Sequence, residues 1–342
     1  MSARSESLVI SPTGSFDELS TRVRQAGLMA PRTDYYLLKI TANLLLLAAC
    51  WAALIVGGDT WWQLVTAVVL ALAFVQTGFI AHDVGHNQIS KARRPRRILG
   101  LLHMNLLVGV SYGWWVNHHN RHHNNPNNLD EDPDTLRRPV IFDVDELPKK
   151  ATSAFRRFVI RFQSVMFFVL LGHEAVRVRA AGFMAARAGA LRSAALELAL
   201  VVAHVAGYLV VVFTVLSPGL AVVFVVLNQI VLGLYLGGVF APNHKGMAVY
   251  RSDTELDWMH RQVLTSRNIR PSRLVDFLYG GLNYQIEHHL FPAMPRVNLG
   301  RVRPIVRDYC AEHGIPYCEV SMAASYREVA RYLGRVSAEA RA

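Results

Sequence analysis

Residues 61–86 read WWQLVTAVVLALAFVQTGFIAHDVGH: twenty-one positions without a charge, closed by two histidines four residues apart. At 1.5 Å rise per residue, such a run is about 30 Å long as a helix, the thickness of a bilayer's hydrocarbon core. The stretch therefore reads as a membrane-spanning helix with histidines where it leaves the membrane. Three further runs have the same character. Ile40–Val56 and Leu220–Pro242 carry no charge, and Ser193–Leu216 is broken only by Glu197 near its start. With 52% hydrophobic residues and a mean hydropathy of +0.23, the 342-residue chain is expected to be an all-α integral membrane protein. About four transmembrane helices would form two hairpins.

The formal net charge of +11 is informative through its placement. The connections after the first and third runs, GGDT and SPG, contain one charge, Asp59. The loop after the second run carries Lys91, Arg93, Arg94, Arg96 and Arg97, and the last hundred residues are rich in arginine. The positive-inside rule puts the basic segments in the cytoplasm and the tight turns outside. No nucleic-acid module gathers these cations, so nucleic acid is not an expected partner. The amino terminus lacks the basic start, apolar stretch and cleavage site of a secretory signal.

These features divide the chain into a cytoplasmic segment 1–35, a membrane domain 36–303 with a cytoplasmic insertion 81–191, and a helical cytoplasmic tail 304–342. Within the insertion, Ile98–Val110 is apolar but too short to cross. Phe155–Val176 mixes arginines with phenylalanines and reads as a helix in the membrane interface. Leu299–His313 and Tyr326–Leu333 read as amphipathic tail helices. Cys50, Cys310 and Cys318 form no CxxC pair, so any metal here uses other ligands.

Histidines supply them. His82 and His86 share a helix face, with Cβ atoms about 5–6 Å apart. Residues 117–128, NHHNRHHNNPNN, add His119, His122 and His123, with His118 alongside; YQIEHHLFP adds His288 and His289, with Gln285 three positions earlier. His244 stands in FAPNHKG, where the fourth span ends. With an inside amino terminus and four spans, all these sites emerge on one side of the bilayer, on a cytoplasmic helical cap. Eight imidazoles exceed one tetrahedral zinc and suit two metals with open positions. Ligand type leaves zinc, copper, iron and nickel open. His103, His173, His204, His260 and His313 are read as packing or hydrogen-bonding residues.

HDVGH, WWVNHHNRHH and QIEHHLFP, in this order around four spans, resemble the three histidine boxes of the membrane fatty acid desaturases, particularly front-end and bacterial acyl desaturases whose third box opens with Gln. The resemblance covers roughly Tyr36–Arg303. It implies a non-haem centre of two iron ions that uses molecular oxygen (O2) to remove two hydrogens from an acyl chain, leaving a cis double bond. The implied metal ligands are His82, His86, His119, His122, His123, His244, His288 and His289, with no catalytic residue beyond them. Asn243, Asp83, Asn120, Glu287 and His118 would steady the ligating rings. Gln285 replaces a histidine found in many relatives, and would be a weak ligand or none.

The implied substrate is a fatty acyl-CoA or acyl-lipid held in a tunnel, with Tyr112, Trp114 and Trp115 as wall residues. No CxxC cluster site, GxGxxG or HPGG signature is present. Electrons would come from an external donor, a ferredoxin or a flavin-dependent reductase. Arg251, Arg261, Arg267, Arg270 and Arg273 offer a basic face for that donor or for substrate phosphates. Two other readings compete: a fatty acyl hydroxylase on the same scaffold, and a zinc-binding membrane receptor or transporter. The spans lack the paired intramembrane ionisable residues of an ion path.

Overall fold

The computed structural model describes residues 14–136 and 139–341; residues 1–13 of the polar amino-terminal segment lie outside the described residues. Helices make up nearly all of the regular structure, joined by one parallel pairing of the two-residue strands Asn268–Ile269 and Glu319–Val320. Among the described residues, four helices are long and apolar enough to cross a membrane: Thr33–Gly57, Gln63–Gly85, Ala194–Val215 and Pro218–His244. They coincide with the four apolar runs, and three of them continue beyond their run into polar residues. The chain is an all-α membrane protein.

Two compact units are formed, neither continuous in sequence. The first, Pro31–Asn117 with Leu170–Gly238, holds three spans and most of the fourth. Polar side chains tie them together: Asn43 donates to Thr77 Oγ1 at 2.7 Å, Asn228 to the Ala67 carbonyl at 2.8 Å, and the Tyr208 hydroxyl to Asn228 at 3.2 Å. In lipid, each such interhelical bond contributes about 0.5–2 kcal/mol. The first hairpin turns through Gly58 at φ +60°, and Gln63 donates to the carbonyls of Ala53, Leu54 and Gly58 at the preceding helix end. The amide thus serves carbonyls at a helix end, where intrahelical donors run out. Pro218 opens the fourth span, where its missing N–H costs nothing.

The short apolar stretch does not cross. It continues the helix Arg93–Gly100 as a π-helical turn, Leu101–Leu106, in which His103 and Asn105 are buried. Asn105 accepts from Tyr112 N–H at 3.1 Å and donates to the Glu197 carbonyl at 3.3 Å. The Glu197 carboxylate accepts from the Ser111 hydroxyl at 2.6 Å and from Gly113 N–H at 2.9 Å, while Ser111 Oγ accepts from Trp114 N–H. The lone acid of the third span thus helps start the helix Tyr112–Asn124, whose free N–H groups favour a negative charge.

The expected single interfacial helix over Phe155–Val176 is a correction: it is three helices, Ala154–Arg161, Gln163–Leu171 and Glu174–Arg187. The breaks fall at Phe162 and at Gly172–His173, where glycine is a poor helix former.

The second unit comprises residues to Ala30, His118–Val169, and those from Val239 onward. Its core joins Leu19 and Val23 of the helix Phe16–Gln25 to Val302, Val306 and Tyr309 of the tail helix Leu299–Glu312. The last helix, Met322–Glu339, is longer than expected and packs Val336 against Ile141 and Ile160.

Candidate metal centre

Within the second unit, six imidazoles converge. His119, His122 and His123 lie at i, i+3 and i+4, and share one face of their helix. His288 and His289 come from the six-residue helix Gln285–Leu290, every residue of which is buried, and His244 is the last residue of the fourth span. Ring centroids are 4.2 Å apart for His123 and His289, 4.6 Å for His122 and His244, 4.7 Å for His123 and His288, and 4.7 Å for His244 and His289. None of the six is more than 8% exposed.

One nitrogen each from His122, His244 and His289 lies within 4.8 Å of the others. The opposite nitrogen of every ring is held. His244 Nδ1 faces the Thr265 carbonyl at 3.0 Å, His289 Nδ1 faces Gln262 Oε1 at 2.9 Å, and His122 Nδ1 faces both Asp132 oxygens at 3.1 Å. A carbonyl or carboxylate accepts only, so each Nδ1 carries a proton and each Nε2 is left as the ligand atom. Burial pulls the His122 pKa down, and the Asp132 carboxylate outweighs it and leaves the ring more basic than usual. A more basic imidazole is a stronger ligand. On this donor set, the cluster fits a divalent metal bound through imidazole.

The first box lies in the other unit. His82 and His86 pack with centroids 4.7 Å apart, beside Trp115 at 5.5 Å and 6.4 Å. Asp83 Oδ1 lies 3.3 Å from His82 Nδ1. Their helix is closed by a Schellman motif: Asn87 takes φ +62°, Gln88 N–H reaches the Asp83 carbonyl, and Asn87 N–H reaches that of Val84.

The other expected residues fall as follows. Asn243 donates to the Leu282 carbonyl at 2.8 Å and to Gln285 Oε1 at 3.1 Å. That leaves Gln285 presenting its amide N–H, 2.9 Å from His244 Nε2. His118 pairs with Asp134 at 3.1 Å, and Asn120 is exposed, about 100° round the helix from His119. Glu287 accepts from Tyr317 at 2.6 Å and Asn268 at 2.7 Å, and burial pushes its pKa up to about 7. It braces the third-box helix rather than a ring. Trp114 packs with Met104 and Val108, and Tyr112 is half-buried.

Arg267 is a correction. Expected on an exposed basic face, it is fully buried, bound to Glu328 and to the Lys245 carbonyl, because the tail helix covers it. Arg270 and Arg273 are exposed. His103, His173, His204 and His313 bond to carbonyls, and His260 to Asp257.

Three holders of the rings escape a reading of the boxes: Asp132, Gln262 and Thr265. Asp132 had a signal, standing in an acidic stretch ten residues after His122. Gln262 and the Thr265 carbonyl had none.

A family model described as fatty acid desaturase matches residues 59–321. The chain is 31% identical over 316 residues to a Delta(6)-fatty-acid desaturase of Caenorhabditis elegans, covering 89% of this chain and 70% of that protein. It is 33% identical over 318 residues to an acyl-lipid (9-3)-desaturase of Physcomitrium patens, covering 89% of this chain and 59% of that protein. A Delta(8)-fatty-acid desaturase of Borago officinalis is 27% identical over 318 residues, with coverages of 90% and 71%.

Proposed function

The chain belongs to the fatty acid desaturase family, and from that premise we propose that it converts a single bond of a fatty acyl chain into a cis double bond. The substrate is an acyl-CoA or acyl-lipid, the oxidant is O2, and two electrons arrive from a ferredoxin or flavin-dependent reductase. Two iron ions held by His82, His86, His119, His122, His123, His244, His288 and His289 would supply the oxidising power that an unactivated methylene demands. His82 and His86 enter this reading as the first box of the sequence.

One observation carries the proposal: three Nε2 atoms converge while each Nδ1 is fixed by an acceptor from outside the boxes. Such an arrangement sets the tautomer and the aim of a ligand. Packing alone has no use for it. The rest of the chain orients and excludes. Asp132 and Thr265 hold their rings, Asp83 steadies His82, and burial keeps bulk water from the six-ring cluster. Tyr112, Trp114 and Trp115 are assigned to the wall of the acyl tunnel. By the positive-inside rule the basic segments support a cytoplasmic location for the centre.

The test is the fatty-acid profile of an aerobic host expressing the chain with a ferredoxin and its reductase. Mass spectrometry should locate a new double bond that is absent with His122→Ala. A new hydroxy acid would replace desaturation by hydroxylation. Identical profiles with and without the chain, across acyl-CoA and lipid substrates and both donor types, would contradict the reading.

A further inference from the structure

Gln262 stands fully buried on the helix Trp258–Leu264. That helix is fixed in rotation: Asp257 caps it by accepting from Met259 and His260 N–H, and Met259 and Val263 sit in the core. The Gln262 amide spans two boxes. Its Nε2 donates to the His123 carbonyl at 3.1 Å, and its Oε1 lies 2.9 Å from His289 Nδ1.

The orientation follows from chemistry. A main-chain carbonyl only accepts, so the NH2 end must face His123 and the oxygen must face His289. His289 Nδ1 then carries the proton, and Nε2 carries the lone pair, on the side of His122 and His244. We infer that Gln262 is a positioning residue: one side chain selects the ligand atom of His289 and ties the third box to the backbone of the second. The inference rests on reading the cluster as a metal centre. Asp132 holds His122 without spanning two boxes, and the Thr265 carbonyl holds His244 from the main chain.

Two variants separate this role from simple packing. Gln262→Met fills similar space and removes both hydrogen bonds. Gln262→Glu keeps an acceptor for His289 Nδ1 and loses the donor to His123. The measurement is metal bound per purified chain, by elemental analysis, and its rate of loss to a chelator, with folding checked by circular dichroism. Gln262→Met should lose metal about 10–100-fold faster than the unaltered chain, the usual effect of removing such a partner. Gln262→Glu should stay within about threefold of the unaltered chain, since the same acceptor remains. If Gln262→Met does not fold, Gln262→Asn replaces it with the same expectation, because it draws the amide back from both partners.

Metal retention by Gln262→Met equal to that of the unaltered chain would overturn the inference. So would a loss with Gln262→Glu as large as with Gln262→Met. An unaltered chain that binds no metal would sink the metal-centre reading itself, which is a different result.

Discussion

The first and third boxes sit on helices held in opposite ways. His82 and His86 end a 23-residue apolar helix, whose length and membrane setting stabilise it and whose Schellman turn closes it locally. His288 and His289 ride on six residues, too few for a helix to persist alone. That helix exists because distant groups clamp it: Asn268 Oδ1 accepts from Ile286 N–H at 2.9 Å, and Asn268 Nδ2 and the Tyr317 hydroxyl donate to Glu287. Damage to the first box should therefore stay local, whereas the third box should respond to residues far from it in sequence.

The largest effects sharpen the contrast at the rings. His122→Ala and His288→Ala should remove product formation while circular dichroism stays unchanged, and His313→Ala, whose ring faces the Tyr309 carbonyl and Glu18, should leave product near its normal level. Full activity in either of the first two would break the assignment.

Next comes the clamp. Asn268→Leu strands a buried N–H and the Glu287 carboxyl, and should cost roughly 3 kcal/mol, seen as a lowered unfolding midpoint together with lost metal. Tyr317→Phe removes one bond to Glu287 and should cost about 1–2 kcal/mol by the same measurement. No change in either would mean that the third-box helix does not depend on this clamp.

The smallest effect belongs to the first box. Asn87→Ala keeps a β-carbon at φ +62° but removes the short polar side chain that eases this left-handed conformation, and should cost about 1 kcal/mol, while Asn87→Gly should be neutral or slightly stabilising. A large loss in both would show that the Asn87 side chain, which accepts from Arg96, matters more than its backbone.

Much of this was legible in the residues. Runs near bilayer length with at most one charge mark the four spans because length and hydropathy alone decide them, and the boxes stand out because imidazoles at helical spacing recur along the chain. Asp132 was half legible, as a nearby acid without an assigned role. Gln262 was not, because its partner His123 lies 139 residues away and nothing local distinguishes a clamping glutamine from a surface one. The helix Phe16–Gln25 was hidden by its thin apolar stripe, only Leu19 and Val23 being buried hydrophobics among many charges. Arg267 misled for the converse reason: a charge reads as exposed until a tail helix brings Glu328 over it.

The most direct measurement is the metal content of the purified, folded chain, by elemental analysis, beside His122→Ala. Two iron ions per chain, reduced in the variant, is the predicted result. A folded chain without metal above background, or one whose metal is untouched by His122→Ala, would contradict a histidine metal centre.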